Sequence, residues 1–332
     1  MGRYGGLVMK QFLIGIDLGG TNIRMGIVTP EGKVLKKVRY TTDVSKGGFA
    51  LFEQLVLNLN DLIQKYFKEP NQLIGIGIGV AGPIDMEKGV IIAPPNLPDL
   101  DGFPLREFLQ KKISSSIVIE NDANAFTLGE GWVGAAKGCK DYCGLTLGTG
   151  VGGGIIVAGK ILHGSTGMGG EVGHMVINPE GPLCGCGGRG CLEVYASGTG
   201  ITRMALEAIE KGECRGILKW IDGNTQNLNS EKVFEIAQKG DLEAQQVFKV
   251  MGRFLGLGLV NLVNLFNPQK IVIGGKVSRV WDYFIPSVIE TVQERAMKGP
   301  RGKVNIVRAE CGDDAGMLGA AFTALTKARL NR

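Results

Sequence analysis

The sequence predicts an α/β protein of two domains, and three observations carry that expectation. At 332 residues the chain exceeds one ordinary domain, for which about 100–200 residues is usual. Short apolar runs bounded by glycine turns alternate with segments of three- and four-residue apolar spacing, the signatures of buried strands and amphipathic helices. The opening pattern of strand, glycine turn and second strand then starts again at residue 142. A smaller domain is expected over residues 1–121 with a closing helix at about 313–332, and a larger one over 122–312.

QFLIGIDL (11–18) reads as a buried strand and NIRMGIV (22–28) as the next, joined by a tight turn at Gly19-Gly20. Glu31-Gly32 turns the chain into a third strand, from Lys33 to about Tyr40. Over 49–67, Phe52, Leu55, Val56, Leu59, Leu62, Ile63 and Tyr66 recur at helical spacing. In QLIGIGIGV (72–80) the apolar residues alternate with Gly75, Gly77 and Gly79, and a face of bare glycines lets something pack very close. After a loop rich in Pro and Asn (93–104), a helix from about 105 leads to the strand SIVIE (116–120). The restart brings the strand YCGLTLG (142–148), a glycine turn GTGVGGG and a hairpin in GIIVAGKILH. Helices follow near 193–212, from 231 and over roughly 242–266; then come the strand KIVIGG (270–275), a helix near 279–298, the strand KVNIVRA (303–309) and a last helix from about Asp314.

Hydrophobic residues at 44% and charged ones at 21% are an ordinary balance for a chain that buries a sizeable core. Glycine is not ordinary: 53 of 332 residues is more than twice the usual share of about 7%. The net charge is +5, with Lys and Arg interspersed among Asp and Glu, and no basic stripe argues for nucleic acid as a partner. No run of eighteen uninterrupted apolar residues argues for a membrane, and the N-terminus lacks the apolar core of a signal peptide. Gly2 lacks the Ser or Thr at position 6 that myristoylation wants, and Met9 is an alternative start. The expectation is a cytoplasmic protein, in which clustered cysteines are ligands before they are disulfides.

Asp17-Leu18-Gly19-Gly20-Thr21 and Thr146-Leu147-Gly148-Thr149-Gly150 each end a buried strand and open a hairpin. Two such turns, one in each half, supply backbone N–H groups to clamp a polyphosphate. Asp17, at a strand end, suits a Mg²⁺ held through water. Two other matches fail. GTGVGG (148–153) fits a dinucleotide fingerprint, but an alternating strand follows where a helix is needed. GIIVAGKI (154–161) fits a phosphate loop, but Ile161 stands at the Ser/Thr position and Ala-Gly-Lys reads as a hairpin turn.

Asp122 lies where a buried strand meets a helix, a favoured place for a base that deprotonates an attacking hydroxyl; simple capping of the helix by Asn121 or Asp122 is the alternative. His174, Cys184, Cys186 and Cys191 supply one imidazole and three thiolates, the Cys₃His set of a closed structural Zn²⁺ site. The C-x-C spacing is tighter than the usual finger, and the two cysteines it joins are badly placed to pair with each other. Cys139, Cys143, Cys214 and Cys311 read as structural.

DLGGT (17–21), ENDAN (120–124), GTGVGGG (148–154), EVGH (171–174), CGCGGRGCLE (184–193) and IVIGG (271–275) together resemble the signature set of the ROK family, in order from about residue 12 to 325 and closest to its bacterial glucokinases. The resemblance implies the actin-like, hexokinase-like ATPase fold: two α/β domains of related topology around a central cleft, with ATP and a sugar between them. It makes Asp122 the catalytic base for the sugar 6-hydroxyl. Gly82, Asn96, Asn121, Asp122, Glu171, His174 and Glu193 become the sugar-binding residues. Asp17, Gly19, Gly20, Thr21, Asn22, Gly148, Thr149, Gly150, Gly274 and Gly275 become the ATP and phosphate-binding ones. It places Zn²⁺ on His174, Cys184, Cys186 and Cys191, adds Mg²⁺ with the ATP, and implies a homodimer or homotetramer. Glucose is the expected substrate; N-acetylmannosamine, N-acetylglucosamine, fructose and allose are alternatives of the same class. A sugar-sensing transcriptional repressor of the same family is an alternative of another class, disfavoured because only ten or so residues precede the first strand. The family commonly follows IVIGG with another glycine where this chain has Lys276, a residue that would be strained if the position needs a positive φ.

Overall fold

The structure, a computed structural model, describes residues 11–19, 22–41, 47–86, 88–92 and 98–330. The chain divides into two compact units. One comprises Met1–Lys137, His163–Gly169 and Asp313–Arg332, the other Gly138–Leu162 and Gly170–Gly312.

The first unit is built on strands β1 (Phe12–Leu18), β2 (Asn22–Val28) and β3 (Val34–Thr41), helix α1 (Gly48–Tyr66), and strands β4 (Leu73–Val80), β5 (Ile84–Asp85) and β6 (Val90–Ile91). Helix α2 (Leu105–Lys112), strand β7 (Ile117–Asn121) and helix α3 (Asp122–Trp132) follow, and the helix Ala315–Leu330 returns to this unit. Its main sheet has the order β3-β2-β1-β4-β7, antiparallel through the first three strands and parallel from β1 to β7. Apolar side chains of β1 and β4, among them Ile14, Ile16, Ile76 and Ile78, meet Phe52, Leu55 and Leu59 of α1 in a core closed to water. The bare glycine face of β4 has the use its sequence implied, because the helix Ala315–Leu330 lies directly on it. A β-carbon on Gly77 would fall into the carbonyl of Ala320.

Gly77→Ala is therefore expected to destabilise the protein by at least about 1–3 kcal/mol, the usual cost of forcing a methyl group into a filled core. Gly299→Ala, where nothing lies within 4 Å of the added carbon, should stay within about 0.5 kcal/mol of the parent. Urea unfolding of the two variants checks this; equal midpoints would contradict the close seat of the helix.

The second unit carries strands β8 (Tyr142–Leu147), β9 (Val151–Val157) and β10 (Lys160–Ile161), then helices α4 (Glu193–Ala196), α5 (Gly198–Glu210), α6 (Arg215–Trp220), α7 (Ser230–Gln238) and α8 (Leu242–Phe266). Strand β11 (Lys270–Gly274), helices α9 (Trp281–Arg295) and α10 (Lys298–Arg301) and strand β12 (Asn305–Arg308) complete it, so that Ala315–Leu330 is α11. Its sheet runs β10-β9-β8-β11-β12, again antiparallel through three strands and then parallel. The restart in the sequence is thus a restart of topology: each strand–turn–strand motif is the first hairpin of its sheet. Asp241 starts α8 by accepting from the Ala244 N–H at 2.9 Å, and Asn267 ends it in the left-handed conformation. The helix is long and apolar enough to cross a membrane, but Phe248, Met251, Leu255 and Leu259 are buried in the core of this unit.

Two expectations need adjustment. The first unit continues past residue 121 to Lys137, because α3 packs against α11 and β4. The glycine turn after β8 is confined to residues 148–150, and Val151–Gly154 already belong to β9. Gly153 serves close packing there, since a β-carbon would overlap Val172. The hairpin at Ala158-Gly159 is as expected: both residues have positive φ, 50° and 76°, and Val157 pairs with Lys160, the pattern of a two-residue type I′ turn.

Candidate active site

In the first unit the candidate residues gather at the end of β7. Asn121 caps α3: its side-chain oxygen accepts from the N–H groups of Ala123 at 2.9 Å and Asn124 at 3.1 Å, and its amide donates to the Gly82 carbonyl at 3.3 Å. Asp122 begins the helix and accepts from the Ala123 N–H at 2.9 Å. The capping reading is thus correct for Asn121, and Asp122 stands beside it, half-buried. Glu120, 1% exposed, accepts from the Asn121 N–H and the Asn124 amide, each at 3.0 Å, and meets His163 Nε2 at 2.9 Å. That contact raises the His163 pKa above the ordinary imidazole value. At the end of β1, Asp17 accepts from Arg24 at 3.0 Å; burial pushes its carboxyl up, with Arg24 opposing. Gly19 donates to the Asn22 carbonyl at 3.0 Å, which closes the first glycine turn. Gly20, Thr21 and Asn96 lie outside the described residues.

In the second unit Glu193 ties two features together. One carboxylate oxygen accepts from the Val151 N–H at 2.9 Å, and the other stands 3.7 Å from Cys184 Sγ. A β-carbon on Gly150 would overlap that carboxylate, so a larger residue there would push Glu193 aside. Glu171, exposed, precedes the short turn Val172–His174, and its backbone carbonyl accepts from the His174 N–H at 3.1 Å.

The ligand atoms of His174, Cys184, Cys186 and Cys191 all lie within 4.8 Å of one another. Bonds of about 2.0–2.3 Å at tetrahedral angles would put neighbouring Zn²⁺ ligands about 3.5–3.8 Å apart. His174 Nδ1 and Cys184 Sγ are 3.6 Å apart, and the Cys186 and Cys191 sulfurs 3.7 Å, so donor set and spacing both fit the metal. Burial pushes the Cys184 and Cys191 thiols up, while the Gly188 N–H holds Cys186 down. A cation taking thiolates there must displace protons.

Beside the 148–150 turn lies a cavity of about 890 Å³, lined among others by Gly148, Thr149, Thr199, Asn229, Phe234 and Lys276. The turn is anchored to the start of α5: Gly198 N–H donates to the Gly148 carbonyl at 2.8 Å, and Thr199 Oγ1 to the Thr149 carbonyl at 2.6 Å. Gly274 ends β11 and Gly275 takes a φ of 85° against the Leu147 carbonyl. The left-handed position is thus Gly275; Lys276 has no positive φ and carries no such strain. Thr199, Asn229 and Phe234 were not singled out in the sequence. Their only local signals are ordinary ones: Asn229 caps α7, and Phe234 falls on its apolar face.

The ROK family profile matches residues 13–327. A glucokinase of Thermotoga maritima is 37% identical over 94% of this chain and 96% of its own. A crystal structure of a ROK family glucokinase from Streptomyces griseus, in complex with glucose and AMPPNP, superposes with a TM-score of 0.77 at 33% identity over 95% of this chain and 99% of that one. A xylose repressor of Caldicellulosiruptor bescii is 32% identical over 92% of this chain but 76% of its own length. With the two sheets described above, the structural likeness makes this the actin-like, hexokinase-like ATPase fold. Since the matched span takes in both sheets, the glycine turns and the Cys₃His cluster, the chain belongs to the ROK family.

Proposed function

We propose that this protein is an ATP-dependent hexose kinase of the cytoplasm that phosphorylates glucose at its 6-hydroxyl. The observation that carries the reading is Asp122, a carboxylate at the junction of β7 and α3 in a chain that is similar to glucokinases over almost its whole length. Phosphoryl transfer asks little covalent chemistry of a protein and much positioning. Asp122 would accept the proton of the 6-hydroxyl as its oxygen attacks the γ-phosphorus, leaving ADP. Asn121, fixed by its cap bonds and by Gly82, would orient the sugar beside it. Glu171, Glu193 and His174 would bind the remaining hydroxyls, His174 through Nε2, since Nδ1 faces Cys184. N–H groups of the 148–150 turn would take phosphate oxygens, and the cavity lined by Thr199 and Lys276 would take the nucleoside.

Asp17 would hold Mg²⁺ through water, and the ion would neutralise phosphate charge. The Cys₃His set would hold Zn²⁺ as a closed structural centre. Activity should vanish when divalent cations are removed and return on adding Mg²⁺; turnover that persists in metal-free buffer would contradict the phosphate cradle.

ADP release measured across glucose, N-acetylmannosamine, N-acetylglucosamine, fructose and allose tests the substrate. Glucose should give the highest kcat/KM, and a higher value for any other sugar would displace it. A sugar-sensing regulator would bind glucose and release no ADP.

A further inference from the structure

The segment His163–Gly169 belongs to the first unit, although the chain on either side of it, to Leu162 and from Gly170, belongs to the second. One internal bond closes it, and two contacts hold it to the rest of that unit. Gly169 N–H donates to the His163 carbonyl at 2.8 Å and closes the loop. Gly167, with a φ of 86°, lies so close to Met86 that a β-carbon would come within 2.8 Å of its side chain. His163 Nε2 meets both oxygens of Glu120, at 2.9 and 3.2 Å. An ionised carboxylate only accepts, so Nε2 carries the proton and donates.

Glu120 is the natural receiver of such a bond. At 1% exposure it sits where an unpaired charge would be costly, and its other two donors come from the turn that carries Asp122: the Asn121 N–H and the Asn124 amide. One buried carboxylate therefore gathers two donors of the β7–α3 turn and one from a loop 43 residues further along. Removing the imidazole leaves one side of that carboxylate unmet and frees it to turn away from the turn it organises.

We propose that His163 is a positioning residue for phosphoryl transfer, holding Glu120 so that the Asn121–Asp122 turn keeps its reactive geometry. This rests on the reading of Asp122 as the base. The test compares His163→Ala and His163→Gln in the full-length protein, with folding followed by circular dichroism and the steady-state constants for glucose and Mg-ATP measured separately. His163→Ala should lower kcat by about 10–100-fold, the size of effect that follows loss of the partner orienting a metal ligand, taken here by analogy, with KM for Mg-ATP changed less than about twofold. His163→Gln, which restores an N–H donor, or imidazole added to His163→Ala, should recover most of the loss. Parental kcat in His163→Ala would overturn the proposal, as would failure of both the Gln variant and added imidazole to restore activity. Parental protein that does not phosphorylate glucose would instead defeat the kinase reading, and this inference with it. A full effect of Asp122→Asn beside an unaffected His163→Ala would defeat this inference alone.

Discussion

Asp122→Asn is expected to lower turnover by roughly 10²–10⁴ while leaving the fold and glucose affinity close to the parent, because a general base contributes about that much to rate and little to binding. The substitution keeps the shape of the side chain and an oxygen for the Ala123 N–H that Asp122 now accepts at 2.9 Å. The cap of α3 belongs to Asn121 and is untouched. What it removes is the negative charge and the site that takes the proton of the 6-hydroxyl as that oxygen attacks phosphorus. The loss should therefore fall on kcat, a pattern that marks an interaction made in the transition state. Steady-state kinetics at saturating Mg-ATP, with calorimetric titration of glucose, checks both halves. Turnover within a few-fold of the parent would take the role of base away from Asp122.

The second large effect concerns the Cys₃His cluster. Cys184 is 3.6 Å from His174 Nδ1 and 3.7 Å from a carboxylate oxygen of Glu193, so a metal held there would fix two of the groups assigned to the sugar. A Cys₃His centre is closed, so its effect passes through the residues it orients. Cys184→Ser, or gentle removal of the metal, should weaken glucose binding by about 10–100-fold and lower the unfolding temperature. ATP affinity should change less, since the 148–150 turn is also held by Gly198 and Thr199. Metal analysis should find about one Zn²⁺ per chain, as one four-ligand site requires. Unchanged glucose affinity in the metal-free protein would reduce the cluster to a local staple, and zinc-free protein after mild purification would defeat the assignment.

Much of this arrangement was legible in the sequence because its signals are local. Alternation of Ile and Gly over 73–80 announced both a strand and a close neighbour on its glycine face, and α11 is that neighbour. One histidine and three cysteines within eighteen residues could be read as one cluster, because that donor set is the one a structural Zn²⁺ takes. The repeated strand–turn–strand announced two sheets of the same topology. What stayed hidden depends on tertiary packing. The four-residue helix Lys298–Arg301 and the six-residue Arg215–Trp220 are too short to show a period. Nothing near His163 points to Glu120, because the bond spans 43 residues and joins a loop to a strand end. The extent of the first unit is set by the packing of α3 on α11, a contact between residues almost two hundred positions apart. Gly153 looked like turn glycine because sequence does not distinguish a turn from a strand approached closely by Val172.

The central claim is transfer of the γ-phosphoryl group of ATP to the 6-oxygen of glucose. Phosphorus–proton correlation NMR of the reaction of glucose with Mg-ATP tests it most directly. The account predicts a new phosphate monoester signal coupled to the two protons on carbon 6 of the sugar, growing in step with ADP. Phosphate on another carbon, inorganic phosphate as the sole product, or no sugar-dependent change would contradict it.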